Sequence, residues 1–249
     1  MYPLTHIYFA RKALGFLDDA VVLGSVFPDI IVVTGLDWKL SHTRGLKFWQ
    51  RCSQQGNKAL RNFSLGVITH GIEPKGLDYY SDKQYKDFEK GYCFEKARPL
   101  VNSVVKACRL PADDGWWKAH NFIEMGVELY IYEKQPELLA LLRQAHANTA
   151  LIRQLVCTFS PLLGKSKLSL QKAFAVFRAA AEEPFALRRM VLRFQRQVVH
   201  RYNVASIDLP ACKEIILRGK KLIVPDIEAF FLNVKKMMSP VWKEIWDEG

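Results

Sequence analysis

Apolar residues recur at helical spacing along almost the whole chain, and this periodicity is the strongest constraint on its fold. In the first such segment, Ile7, Ala10, Leu14 and Leu17 fall on one face of a helix. No stretch alternates apolar and polar residues between turn signals, as a half-buried β-strand would. The sequence therefore predicts an all-α protein of about nine or ten helices.

The chain has 249 residues, of which 49% are hydrophobic, and this is enough for a large buried core. No internal repeat, low-complexity segment or linker divides it. We therefore predict one compact domain over residues 1–249. Its functional site is expected in residues 1–130, and residues 131–249 are expected to be a helical remainder.

Capping and turn signals predict where the helices begin and end. Thr5 is a suitable N-cap for the first helix, and Pro28 should end the second helix near Phe27. Residues 30–46 are predicted to form a loop. Further helices are predicted at 46–54, 57–72, 83–107, 113–133, 135–148, 149–160, 168–203 with a break near Pro184, 211–222 and 225–246.

The cysteines and the apolar segments bear on the compartment. Five cysteines are scattered without a Cys-x-x-Cys pair, and their odd number argues against a fully paired disulfide framework. The N-terminal segment lacks the basic and apolar regions of a signal peptide, and no apolar run approaches the roughly 18–20 residues that span a bilayer. We predict a soluble cytoplasmic protein without a transmembrane segment.

The positive charge is concentrated in the second half of the chain. The net charge is +11: residues 1–129 hold 17 basic and 14 acidic residues, and residues 130–249 hold 19 and 11. A basic surface attracts phosphates, lipid head groups and nucleic acid, so peripheral contact with an anionic surface is one interpretation. A solvated basic face is the other.

One helical stripe carries a histidine and a glutamate four residues apart. His120 and Glu124 share a face with Val127 and Ile131, so both side chains point toward whatever the helix buries. A buried carboxylate needs a partner, and one metal ion would serve both residues. A histidine and a glutamate that are hydrogen-bonded within the core are the alternative.

Further histidines and carboxylates lie at helix ends and loops of the first half. They are His6, Asp29, His42, His70 and Asp78. Histidine and carboxylate together form the ligand set of zinc and similar divalent metals, and so many ligands indicate two or three ions. His146 and His200 lie in predicted helices without carboxylates at matching spacing, and they are interpreted as structural.

Each carboxylate also has a simpler interpretation. Asp29, expected on a turn after a buried helix, would equally suit an N-cap or an Asx-turn. Asp78 lies in a polar loop with Glu73 and Asp82, and such a loop can simply face solvent. Several known metal motifs are missing: the chain contains no His-Glu-x-x-His, no Glu-x-x-His and no adjacent His-Asp pair.

The ordered run of these residues resembles the zinc-dependent phospholipase C family, whose helical fold is shared with the fungal zinc-dependent single-strand nucleases. The resemblance covers about the first half of the chain. Its matching segments are Leu4-Thr5-His6, Gly24-Ser25-Val26-Phe27-Pro28-Asp29, Ser41-His42, Gly66-Val67-Ile68-Thr69-His70 and His120-Asn121-Phe122-Ile123-Glu124.

This resemblance implies a site of three zinc ions. Asp29, His42 and His70 would hold the first, His120 and Glu124 the second, and His6 the third. A carboxylate four residues after His70 bridges two of the ions in the family.

The sequence departs from this family pattern at several ligand positions. Position 74 is proline here, so Asp78 or Glu73 would have to act as the bridge. A further histidine and the processed N-terminal tryptophan of the secreted relatives are missing, so two ions also fit, with Asp78 or Asp82 as substitutes for the histidine. Manganese, iron or nickel could replace zinc.

The resemblance also implies a phospholipase C-like phosphodiesterase in which a metal-bound hydroxide attacks phosphorus. Asp29 would be both a ligand and the catalytic residue that orients the water. The substrate would be a phospholipid or a nucleotide-like phosphate ester, in a cleft walled by Trp38, Tyr79, Trp116 and Trp117. Two alternatives stay open: a single-strand nuclease on the same fold, and a non-catalytic helical binding protein that a metal stabilises.

Overall fold

The computed structural model describes residues 1–247, and the all-α prediction is confirmed, since no β-strand is present among them. The number of helices is higher than the nine or ten predicted. They are α1 (Pro3–Leu14), α2 (Asp19–Val32), α3 (Trp38–His42), α4 (Gly45–Ser53), α5 (Lys58–His70), α6 (Tyr92–Ala97), α7 (Val101–Cys108), α8 (Gly115–Lys134), α9 (Glu137–Ala147), α10 (Thr149–Leu163), α11 (Lys167–Glu182), α12 (Leu187–Tyr202), α13 (Leu209–Ile223), α14 (Ile227–Met237) and α15 (Ser239–Asp247).

Short helical turns supplement these helices: a π-helical turn at Tyr79–Lys83 and 3₁₀ turns at Arg98–Leu100 and Ala112–Asp114. None of the helices in the described part of the chain is long and apolar enough to cross a membrane.

The prediction that Pro28 ends the second helix is wrong. Helix α2 continues through Pro28 to Val32. An internal proline removes one backbone hydrogen bond and costs about 3 kcal/mol. The residues on both sides, such as Phe27 and Ile31, are completely buried, and tertiary packing of this kind outweighs the local preference. Asp29 therefore projects from a helix and not from a turn.

Other boundaries differ for local reasons. The predicted loop 30–46 contains α3, because Asp37 caps it by accepting a hydrogen bond from the Leu40 amide at 3.1 Å. The predicted helix 83–107 is divided into α6 and α7 around Pro99, which lacks a backbone donor. The first helix begins at Pro3 and not after Thr5, since proline suits the first helical position. The predicted helix 225–246 is two helices, α14 and α15.

The chain divides into two compact units. The larger unit contains Pro3–Tyr79, Gln135–Glu183 and the described residues from Phe231 onwards. The smaller unit contains Met1–Tyr2, Tyr80–Lys134 and Pro184–Phe230. The single domain over residues 1–249 stays a prediction.

In the larger unit, α2 packs against α1, α5 and α9. Its crossing with α5 is close, because a Cβ at Gly24 would overlap the carbonyl oxygen of Phe63, and one at Gly66 would lie 2.5 Å from that of Val21. Beside the crossing, five phenylalanine rings pack in one buried cluster. They are Phe27, Phe48, Phe63, Phe159 and Phe174.

In the smaller unit, α8 is the central helix and packs against α6, α7 and α13. Its inward residue Phe122 meets Phe194 of α12, with ring centroids 5.0 Å apart. Tyr92 of α6 stacks on Phe230 at 4.2 Å. The helix that carries His120 and Glu124 is therefore held on several sides within its own unit.

Candidate metal centre

The larger unit brings together five of the predicted ligands. His6 lies on α1, Asp29 on α2, His42 at the end of α3, His70 at the end of α5, and Asp78 in the segment after α5. They form two overlapping groups, His6–His70–Asp78 and Asp29–His42–His70, in each of which the ligand atoms lie within 4.8 Å of one another. We call these five residues the five-residue group.

Asp78 lies at the middle of the five-residue group and is almost completely buried. Its Oδ1 is 3.4 Å from Nε2 of His6. Its Oδ2 is 3.4 Å from Nε2 of His42 and 3.3 Å from Nε2 of His70. The two oxygens thus face different imidazoles, which is the arrangement of a carboxylate that bridges two ions.

His70 is oriented by the close crossing of α2 and α5. Its Nδ1 lies 2.6 Å from the carbonyl oxygen of Ser25. A carbonyl can only accept, so Nδ1 carries the proton and Nε2 offers a lone pair to the group. Metal-ligating histidines are commonly held through the other ring nitrogen in this way.

His42 is held by its own helix. Its Nδ1 lies 2.8 Å from the carbonyl oxygen of Trp38 and 2.6 Å from the hydroxyl of Ser41. The Trp38 ring also stacks on the imidazole, with centroids 4.4 Å apart. Nε2 is therefore turned toward Asp78 and Asp29.

The segment that delivers Asp78 is tied to α3 by the backbone. The amides of Ile72 and Glu73 donate to the carbonyl oxygen of His42 at 2.9 and 3.2 Å. The Glu73 side chain is exposed and lies outside the ligand groups, whereas Asp78 is buried within one. Of the two bridging candidates, the structure therefore brings Asp78 to the group.

His6 is the least satisfied member. Both of its ring nitrogens are buried without a hydrogen-bond partner, although its ring stacks on that of His70 at 3.5 Å. Burial, together with the neighbouring His70, holds the pKa of His6 well below its ordinary value. A neutral imidazole with an unused lone pair, aimed at a buried carboxylate, suits a cation.

Asp29 and His42 form an ion pair at the edge of the group, with Nε2 to Oδ1 at 3.7 Å. Burial opposes charge on His42, but its interactions with Asp29 and Asp78 outweigh burial and raise its pKa to about 9. Burial likewise opposes charge on Asp29, yet His42 and His70 lower its pKa to about 2. The Asp29 side chain is 29% exposed, so this edge of the group is open.

The smaller unit holds a second group of Asp82, His120 and Glu124, again with ligand atoms within 4.8 Å. Burial lowers the pKa of His120 to about 4 despite the opposing charge of Glu124. Nδ1 of His120 is buried without a hydrogen-bond partner, and Asn121 Nδ2 donates to Glu124 Oε2 at 3.1 Å. The amino group of Met1 lies 3.0 Å from Glu124 Oε1.

Several contacts around the two groups have no sequence signal. The carbonyl oxygens of Ser25 and Trp38 orient two histidines, but a carbonyl is present at every residue. Phe94 stacks on His120 at 4.1 Å, and only tertiary packing brings them together.

Of the predicted cleft walls, Trp38 stacks on His42 and Trp117 lies 5.5 Å from His120. The indole of Trp116 instead donates to the Phe94 carbonyl, and Tyr79 lies beneath Lys75.

Both groups have the residue types and spacing of a metal site, and the unsatisfied nitrogens of His6 and His120 fit that use. Imidazole and carboxylate donors suit zinc, manganese, iron or nickel, so the donor set selects a class of metal and not one ion.

The comparisons with known proteins give no match: no family model, no curated protein and no solved structure matches the chain. The functional proposal therefore stands on the geometry of the residues.

Proposed function

We propose that this protein is a metal-dependent hydrolase of phosphate esters, with a site for two divalent ions in the five-residue group of the larger unit. Zinc is the ion that the resemblance to phospholipase C implies. The observation that carries the proposal is the position of Asp78 between His6 on one side and His42 with His70 on the other.

The ligand count supports two ions. Asp78 Oδ1 with His6 would serve one ion, and Asp78 Oδ2 with Asp29, His42 and His70 would serve the other. Paired ions a few ångströms apart clamp the oxygens of a phosphate ester and lower the pKa of a coordinated water to about 7.

The protein residues have separate roles in this proposal. The carbonyl oxygens of Ser25 and Trp38 accept from Nδ1 of His70 and His42 and so turn both Nε2 atoms toward the group. A metal ion there would replace the proton that His42 carries on Nε2 beside Asp29 and Asp78. Asp29 is the ligand at the open edge, so it is placed to accept a hydrogen bond from a water there. A stabilising metal would instead be enclosed by protein on all sides.

The test combines metal analysis with turnover. The chain is purified without a histidine tag, its metal content is measured by elemental analysis, and hydrolysis of a chromogenic phosphodiester is followed before and after chelation. We expect at least two ions per chain and turnover that chelation abolishes. In Asp29→Ala we expect reduced metal content and loss of turnover. The matched control Asp87→Ala removes an exposed carboxylate that belongs to neither ligand group.

Two outcomes would contradict the proposal. Protein that holds no metal, even after dialysis against zinc, would exclude the site. Protein that holds two ions but hydrolyses neither phosphodiesters nor phosphomonoesters would favour a metal that stabilises the fold.

A further inference from the structure

The connection between α2 and α3, together with the start of α3, exposes three large apolar side chains. Val33 is 49% exposed, Trp38 36% and Leu40 44%. Other large exposed apolar residues occur singly or in pairs elsewhere, such as Val176 on α11 and Leu217 on α13. We call residues 33–40 the apolar turn. Clustered apolar exposure of this kind marks an interaction surface.

The apolar turn lies in a basic stretch. Residues 30–72 contain six lysines and arginines and one acidic residue, Asp37. The Asp37 carboxylate is engaged in capping α3. Lys39 is exposed within the turn itself. An exposed lysine next to exposed apolar side chains, with the one nearby carboxylate engaged, suits an anionic partner.

Two cations are fixed against the turn and its following residues: Lys165, which lies outside the basic stretch, and Arg44, one of the six within it. Lys165 donates to the carbonyl oxygen of Thr34 at 3.1 Å, and Arg44 donates to that of Leu162 at 2.9 Å. These bonds connect the end of α10 to both sides of the turn. The positive charge and the apolar side chains thus belong to one rigid feature of the larger unit.

We propose that the apolar turn docks on an anionic phospholipid surface, with Val33, Trp38 and Leu40 in the head-group region and the lysines against lipid phosphates. Tryptophan, aliphatic and basic side chains together are typical of membrane-interface contacts. A stable protein partner needs about 20–30 residues on each side, many more than this turn offers. Single-stranded nucleic acid stacks its bases on aromatic side chains, whereas two of the three exposed side chains here are aliphatic.

The test is sedimentation of the full chain with sucrose-loaded vesicles, which requires no turnover and so does not depend on the proposed hydrolase. Vesicles contain phosphatidylcholine alone or mixed equally with phosphatidylglycerol. We expect binding to the anionic vesicles and about tenfold weaker partitioning for Val33→Asp and for Leu40→Asp, because each replaces inserted apolar surface with a repelled charge. Val176→Asp, an equally exposed change on α11, should bind as the wild type.

Leu40 is close to His42, so Leu40→Asp could alter folding or metal content. In that case the result for Val33→Asp alone decides between the outcomes. Three results would overturn the proposal: no binding to anionic vesicles, equal binding by Val33→Asp and wild type, or a wild-type dimer that Val33→Asp dissociates. The second result would mean adsorption by charge alone, and the third would identify a second copy of the chain as the partner.

Discussion

The two ligand groups use the same residue types but differ in how their side chains are held. In the larger unit, carbonyl oxygens of Ser25 and Trp38 fix the rings of His70 and His42. In the smaller unit, the Nδ1 of His120 has no such partner, and Asn121 is the neighbour that contacts both His120 and Glu124. Orientation by a second layer of contacts is what separates a prearranged ligand group from an adaptable one.

The difference predicts an order of affinity. Five ligands, of which His42 and His70 are held by carbonyl oxygens, should hold ions more tightly than three ligands whose single imidazole has no such contact. We therefore expect a chelator to remove the ion of the smaller unit first, and four substitutions can test the comparison.

Asp78→Asn should have the largest effect. The change keeps the shape of the side chain but removes the charge that faces three imidazoles. We expect loss of the ions of the larger unit and a fall in phosphodiester turnover beyond the roughly 10–100-fold typical of outer-layer changes. Elemental analysis and initial rates measure both. Glu73→Gln, an exposed carboxylate of the same segment, is the control, and normal metal content in Asp78→Asn would exclude a bridging role.

Glu124→Gln should have a smaller and separable effect. It removes one of three ligands in the smaller unit, so we expect metal content to fall by about one ion while the larger unit keeps its own. Glu133→Gln on the exposed side of the same helix is the matched control. If Glu124→Gln lost as much metal as Asp78→Asn, the two groups would not be independent and the comparison would fail.

Ser41→Ala tests whether outer contacts matter in the larger unit. The hydroxyl lies 2.6 Å from His42 Nδ1 and donates to the Trp38 carbonyl at 2.7 Å. The contact between His42 Nδ1 and the Trp38 carbonyl survives the substitution. Metal affinity should therefore weaken by only about tenfold, the lower limit of the usual effect of removing a contact behind a ligand. Competition with a chelator measures it. Ser53→Ala removes the same type of hydroxyl-to-carbonyl bond at the solvent-exposed end of α4, and metal affinity should not change.

His146→Phe should have the smallest effect and should leave metal content unchanged. His146 is buried in the larger unit with an unsatisfied Nε2, outside both ligand groups. Burial lowers the pKa of His146 below the ordinary 6.5. Below that pH the imidazole is therefore protonated in the unfolded chain but stays neutral in the folded chain, which favours unfolding. The free energy of unfolding of the wild type should therefore fall between pH 7.5 and pH 5, and that of His146→Phe should fall by less. Thermal unfolding at both values measures this, and equal losses would contradict it.

Helical periodicity was sufficient to predict the fold class, because it depends on neighbouring residues. The span of α8 and the break between α11 and α12 at Pro184 followed from local signals. The number of helices did not, because Pro28 is tolerated where burial outweighs its cost and Asp37 caps a helix of only five residues.

The candidate ligands were predicted from residue types and order, and the resemblance grouped Asp29 with His42 and His70, and His120 with Glu124, as the structure does. The choice among Glu73, Asp78 and Asp82 was left open. Nothing in the spacing of His70 and Asp78 shows that Asp78 lies among three histidines while Glu73 faces solvent. That outcome depends on the amides of Ile72 and Glu73 binding the carbonyl of His42. Asp82 was one of several interchangeable carboxylates in the sequence, and only the three-dimensional arrangement joins it to His120 and Glu124.

The glycine crossing of α2 and α5 has a consequence for mutational tolerance. Helix α2 supplies the Asp29 side chain and the Ser25 carbonyl that orients His70, so the separation of the two helices sets two ligands at once. A methyl group at Gly24 or Gly66 would displace both. Substitutions at these glycines would be scored as folding defects in a survey of variants, yet they would also change the spacing of the candidate ligands Asp29 and His70.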